Sequence, residues 1–298
     1  MKMSCMLPGW VLLFSVGLLC GFQNPAPDPL RDLARLKQDS NPARLEALQK
    51  TLQERGIPCE LRTFESGPTP HGRTKGTNLI VSFGQGLREI TLGAHYDALE
   101  LPGGGMVDGM IDNGAAAIIL VRVAEALKGR DLRHRVRIVF FDMEETGMVG
   151  SQAYVAANKS GIAAAVILDI AGFGDALGYG FGYTKETVQI RKALLMSCAE
   201  QLVTCVDSPN YPSSDDRSFQ AASIPVVSLG FSPRLAAIQA WLLLNGGENS
   251  GMEKGFVPPV FRIIHTPEDN IGKIDPAAID LEYKLVLSTL LKLDAALD

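Results

Sequence analysis

The chain has 298 residues, 46% of them hydrophobic, which is enough for one sizeable core and too apolar for a disordered protein. Lys and Arg number 28 against 33 Asp and Glu, a formal net charge of -5. With no long Lys/Arg-rich block, nucleic acid is not an expected partner.

Met1 to Gln23 reads as an export signal, with Lys2 ahead of an apolar stretch from Trp10 to Leu19. That stretch is short for a transmembrane span, so no stable membrane segment is expected after processing. The expected location is periplasmic or secreted, with lipid attachment at Cys20 as a weaker alternative. Residues 24–298 then form the expected catalytic domain. Cys59, Cys198 and Cys205 remain, too few for a disulfide scaffold. Cys198 and Cys205 pair only if the helix around them ends between the two.

Leu30 to Gln38 suits a short amphipathic helix. Asn41-Pro42 reads as an N-cap followed by a first-turn proline, opening a helix that runs to Gln53. Cys59 to Glu65 suits a strand, and Ser66 to Thr77 a loop in which His71 is solvated. Asn78 to Phe83 and Glu89 to Gly93 are strands, and the second delivers His95 and Asp97. Asp112-Asn113-Gly114 opens a helix over Ala115 to Lys128, and Val136 to Phe141 is a central strand leading to Glu144-Glu145. A helix over Ser151 to Asn158 precedes a buried strand, Ala163 to Leu168, that ends at Asp169.

Gly172 to Gly182 carries five glycines and reads as too irregular for a core element. Glu186 to Val203 is a helix with Ile190, Leu194 and Leu195 turned inward, and Pro209 to Phe219 a polar loop. Ile224 to Leu229 is a strand, Leu235 to Leu244 an apolar helix, and Val260 to Ile264 brings His265. Pro276 to Leu293 closes the chain as a helix. Strands alternating with helices, without a repeat or a long linker, predict one α/β domain. It is a three-layer α/β/α sandwich with a mixed, mainly parallel sheet.

Two adjacent carboxylates at the end of a buried strand are costly unless a cation lies between them. His95, Asp97, Asp112, Asp169 and His265 also sit at or just past hydrophobic runs. Functional residues at the carboxyl ends of such strands face one crevice. Imidazole and carboxylate donors suit zinc, with cobalt or manganese as alternatives, and two ions can share a bridging carboxylate. Spacing alone does not distribute the roles.

GAHYDAL from Gly93, VDGMIDNGAAA from Val107, FFDMEETGMVGS from Phe140, VILDIAG from Val166 and HTPEDNIGKID from His265 resemble the zinc aminopeptidase family. Secreted bacterial leucyl aminopeptidases belong to it, and glutaminyl cyclases are close relatives. The resemblance implies a zinc-exopeptidase-like fold and two zinc ions bridged by Asp112. Glu145 and His265 would complete one ion, His95 and Asp169 the other. Asp97 would hold His95, and Glu144 would be the general base that activates a zinc-bridged hydroxide. The peptide bond after the bridging aspartate is often cis in the family. The substrate implied is a peptide with a free N-terminus; the oligomeric state is left open.

In SSDDRSF, Asp215 matches the aspartate of the family's Ser-Asp-His, but Asp216 stands where relatives carry histidine. Asp215, Asp216 and Phe219 are therefore candidate substrate contacts. Trp241 either packs its helix on the sheet or reaches a substrate pocket, which Phe173, Tyr179, Phe181 and Tyr183 are also placed to line. The rival reading is a glutaminyl cyclase with one zinc on Asp112, Glu145 and His265. The Asn-Gly after Asp112 resembles the aminopeptidases, whereas cyclases usually carry Ser-Ala there.

Overall fold

The computed structural model describes residues 28–67, 72–181 and 187–297. The expected export signal, Cys20, His71 and Tyr183 lie outside the described residues.

Helices α1 (Pro29–Ala34) and α2 (Asn41–Glu54) come first, followed by β1 (Glu60–Glu65), β2 (Lys75–Phe83) and β3 (Glu89–His95). A single turn at Met110–Gly114 leads into α3 (Ala115–Leu127), then β4 (Arg135–Phe141), α4 (Val149–Asn158) and β5 (Ile162–Leu168). After β6 (Ala176–Phe181) come α5 (Thr187–Gln201), β7 (Thr204–Asp207), α6 (Asp216–Ala221) and β8 (Val226–Ser232). Helices α7 (Arg234–Asn245), α8 (Pro259–Ile263) and α9 (Pro276–Ala296) complete the chain. The order across the eight-stranded sheet is β1-β2-β4-β3-β5-β8-β6-β7. Its centre, β4-β3-β5-β8, is parallel, while β1-β2, β2-β4 and β6-β8 are antiparallel.

The central strands are mostly apolar because both of their faces are covered, with polar residues such as Glu89, Thr91 and Arg137 toward their amino ends. In β4, Val136, Ile138 and Phe140 enter the core under α3 and α9, while Val139 and Phe141 enter a second core under α4 and α6. β5 divides in the same way, with Val166 and Leu168 on one face and Ala165 and Ile167 on the other. Helices on both faces of a mixed sheet are what the alternation of elements predicts. No helix of the described residues is long and apolar enough to cross a membrane.

Three expectations need correction. The cap of α2 is Ser40, whose hydroxyl accepts the Ala43 N–H, and this frees the Asn41 side chain for another task. The glycine-rich stretch after Asp169 does contain a core strand, β6. Its Gly178 and Gly180, with Gly230 of β8, make room for the half-buried Tyr211 side chain, into which a Cβ on Gly180 or Gly230 would run. The glycines therefore mark close packing rather than irregularity. Finally, Leu195 is 41% exposed, whereas Ile190 and Leu194 are buried. Because α5 ends at Gln201 and the chain turns back into β7, Cys198 and Cys205 come within reach and form a disulfide.

Candidate metal centre

The parallel strands deliver their acidic and imidazole groups at one edge. His95 is the last residue of β3, Glu144-Glu145 follow β4 and Asp169 follows β5. Tyr96 N–H bonds Phe141 O across β3 and β4, and Asp169 N–H bonds Leu229 O of β8. This matches the rule that ligands gather beyond the carboxyl ends of parallel strands. His265 arrives differently: it follows the short helix α8, in left-handed backbone with φ 61°. Met143 and Ile170, next to Glu144 and Asp169, are also left-handed, at φ 62° and 73°. Such backbone costs roughly 1–3 kcal/mol per residue and is kept where the surroundings enforce it.

Asp112 sits in the Met110–Gly114 turn, and its peptide bond to Asn113 is cis, as the resemblance implies. Asn113 Nδ2 donates to Leu168 O at 2.8 Å, which fastens this turn to the end of β5. The Asp269 carboxylate accepts the N–H groups of Met110, Ile111 and Asp112 at 3.0, 2.6 and 3.1 Å. Asp269 lies inside the last of the five motifs, but no spacing rule singles it out; only the fold brings it under the Asp112 turn.

The two Asp112 oxygens point in different directions. Oδ1 is 3.1 Å from His95 Nε2, and Oδ2 is 3.1 Å from His265 Nε2. Asp169 Oδ1 is 3.6 Å from His95 Nε2, and Glu145 Oε2 is 3.2 Å from His265 Nε2. Two triads result, His95–Asp112–Asp169 and Asp112–Glu145–His265, with Asp112 common to both. Donors about 2.1 Å from one tetrahedral zinc stand about 3.4 Å apart, the spacing found here. His95 Nε2 and Glu145 Oε1 are buried without a hydrogen bond. Asp112 Oδ1 is 3.1 Å from His95 Nε2, yet the two do not form a hydrogen bond. The donor set fits two divalent cations.

Asp97 supports both sides of this centre. Its carboxylate accepts the Glu144 and Glu145 N–H groups at 3.1 and 3.2 Å. His95 Nδ1 lies 3.1 Å from the Asp97 backbone O and 3.5 Å from Oδ1. The backbone oxygen is therefore the nearer partner of the ring, and the carboxylate mainly shapes the Glu144-Glu145 turn.

Burial pushes the Glu144 carboxyl up to about 10; Asp169, Asp215 and Asp97 add to this and His95 opposes it. Burial also works against the Asp112 carboxylate, but His265 and His95 hold it well below the ordinary range. Asp112 and Glu145 raise His265 to about 10. So many acids and imidazoles in one buried place call for positive charge from outside the chain.

The candidates beyond the triads fall in different places. Asp215 is fully buried, neither of its oxygens is hydrogen-bonded, and burial raises it to about 7, with Asp97 and Asp169 adding to the rise and His95 opposing it. The Asp216 carboxylate turns back on its own loop, accepting from Ser214 N–H at 3.0 Å and Gln220 Nε2 at 2.6 Å. Phe219 packs edge-on against Phe141 in the core under α4 and α6. Trp241 Nε1 donates to Asp207 O at 2.9 Å, and its ring lines an apolar cavity beside Asp169. Tyr211, Phe231, Val260 and Phe261 also line that cavity. Tyr179 instead is buried in the core, and Phe173 packs against it.

The model of peptidase family M28 matches residues 78–290. Among solved structures, the Legionella pneumophila LapA aminopeptidase superposes with a TM-score of 0.67 at 17% identity, over 91% of this chain and 72% of that one. A zinc aminopeptidase from Bacillus subtilis gives 0.57 at 20% identity, over 73% of this chain and half of that protein. The Porphyromonas gingivalis glutaminyl cyclase gives 0.66 at 21% identity, over 88% of this chain and 94% of that one.

Proposed function

This chain belongs to peptidase family M28, and from that premise we propose that it is a two-zinc aminopeptidase, removing N-terminal residues from peptides. The observation that carries the reading is Asp112, with one oxygen toward each histidine-containing triad. In this proposal His95, Asp112 and Asp169 hold one ion and Asp112, Glu145 and His265 the other.

Zinc, when bound, supplies Lewis acidity toward the scissile carbonyl and makes water a stronger acid. Glu144 takes the proton of the attacking water and returns it to the leaving amine nitrogen. Asp97 holds that carboxylate's backbone in place through the Glu144 and Glu145 N–H groups. The substrate's free amine meets the acidic groups around Asp169, and its side chain enters the apolar cavity lined by Tyr211, Phe231 and Trp241. Export belongs to the same reading; the Cys198–Cys205 disulfide suits an oxidising compartment.

One second reading has support. The Porphyromonas gingivalis glutaminyl cyclase superposes as well as LapA does, with TM-scores of 0.66 and 0.67. A cyclase would use Asp112, Glu145 and His265 for one zinc, with Glu144 shuttling the proton during closure of an N-terminal glutamine. Metal content per chain, with product analysis on matched peptides beginning with Leu and Gln, separates the two. Two metals and free Leu support the aminopeptidase. One zinc, pyroglutamyl product and no released amino acid reject it.

A further inference from the structure

Ahead of residue 78, where the family match begins, α2 sends two polar side chains inward. Arg44 is fully buried and has no ion-pair partner among the described residues. Its guanidinium donates to four backbone carbonyls instead. Nε reaches Tyr96 O at 2.7 Å, Nη1 reaches Leu36 O at 3.1 Å and Asp108 O at 2.6 Å, and Nη2 reaches Gly109 O at 3.2 Å. Asn41 completes the contact: its Nδ2 donates to Ala98 O at 3.1 Å, and its Oδ1 accepts the Ala98 N–H at 2.8 Å.

Leu36 lies between α1 and α2; the other acceptors belong to the two ends of one connection, residues 96–109, that runs from His95 to the Asp112 turn. Its two ends meet at Gly109, where a Cβ would collide with Ala98 and with Asp112 O. Arg44 and Asn41 lie against that seam. Tyr96 and Ala98 are next to or near His95, while Asp108 and Gly109 lead into the Asp112 turn. Burial lowers the Arg44 guanidinium to about 10, with Asp97, Asp269, Asp112 and Asp108 opposing, so it remains a cation at neutral pH. A cation under an acidic cluster, held by carbonyls rather than by one of the acids, leaves the carboxylates free for ligation.

We propose that Asn41 and Arg44 are positioning residues of the metal centre, clamping together the two ends of the 96–109 connection, one next to His95 and one next to the Asp112 turn, so that the triad His95–Asp112–Asp169 is preformed; this rests on the metal-centre reading above. Only a planar fork with several fixed donors spans four carbonyls on three segments, so a lysine of equal charge is not an adequate substitute. Changes behind metal ligands typically weaken metal affinity about 10–100-fold.

The test is zinc affinity and stoichiometry by chelator competition, with melting temperature, for wild type, Arg44→Lys, Asn41→Ala and Leu48→Ala. Leu48 is a buried core residue of the same helix and controls for loss of stability alone. The expected result is zinc binding weakened about tenfold or more in Arg44→Lys and Asn41→Ala, with kcat falling more than KM rises and Leu48→Ala binding zinc as wild type does. Should Arg44→Lys fail to fold, Asn41→Ala decides by the same measure. Unchanged zinc affinity in the folded variants, or an equal loss in Leu48→Ala, overturns the proposal. A wild-type chain that binds no zinc overturns the metal-centre reading itself and this inference with it.

Discussion

The carboxylate of Asp269 accepts the Ile111 N–H at 2.6 Å, joining residues 158 positions apart. This bond, with those to Met110 and Asp112, sets the segment that carries His265 against the turn that carries Asp112. Two members of the Asp112–Glu145–His265 triad, Asp112 and His265, therefore depend on a residue that belongs to neither triad. Asp269→Ala leaves three backbone donors without their acceptor, and about 2–4 kcal/mol of stability is expected to go with them. Denaturant melts should show that loss, and chelator competition should show weaker zinc binding. Zinc affinity equal to wild type would mean the turn keeps its shape unaided.

Glu144 and Asp112 should separate chemistry from ligation. Glu144→Gln is expected to keep its full metal content and lose about 10²–10⁴ in kcat, the range for removing a general base. Asp112→Ala should lose metal from both triads, because each uses one of its oxygens. Elemental analysis alongside peptide hydrolysis checks both. Metal loss in Glu144→Gln would move Glu144 among the ligands.

Asp216 gives a pH dependence away from the triads. Burial raises its carboxyl to about 6, against the Ser214 N–H and Arg217. An acid whose folded pKa lies above its unfolded value contributes stability that is fully present below about 3.9 and is lost as pH rises through about 6. Asp216→Asn should remove this loss, gaining about 2–3 kcal/mol at pH 8 relative to pH 4 when compared with wild type. Melting temperatures across that range decide it; parallel curves for the two proteins would place the titration elsewhere.

The Cys198–Cys205 bridge closes a short loop between α5 and β7. Its removal by Cys198→Ser with Cys205→Ser should cost about 2–3 kcal/mol by the chain-entropy relation. Metal content should be unchanged, since β7 lies at the sheet edge, beyond β6 and β8 from the metal-binding strands. Thermal melts and zinc titration of the double variant make the comparison; a variant that folds but binds no zinc would tie the bridge to the site.

Much of this was legible in the chain itself. Val136 to Phe141, apart from Arg137, and Ala163 to Leu168 announce buried parallel strands, because strands covered on both faces are filled almost wholly by apolar residues. His95, Glu144, Glu145 and Asp169 are legible because a parallel sheet places its active groups where the apolar runs stop. Left to the tertiary structure was whatever depends on a partner distant in sequence. Gly178 and Gly180 read as irregular until Tyr211 lies across them. Asn41 reads as a helix cap until Ser40 takes that part and Asn41 turns to Ala98. Arg44 has the sequence signature of a solvated helix residue, yet it is fully buried against four carbonyls. Local propensity and periodicity report on neighbours in the chain. A hydrogen bond across 50 or 150 residues leaves no such trace, because its energy appears only after the fold has brought donor and acceptor together.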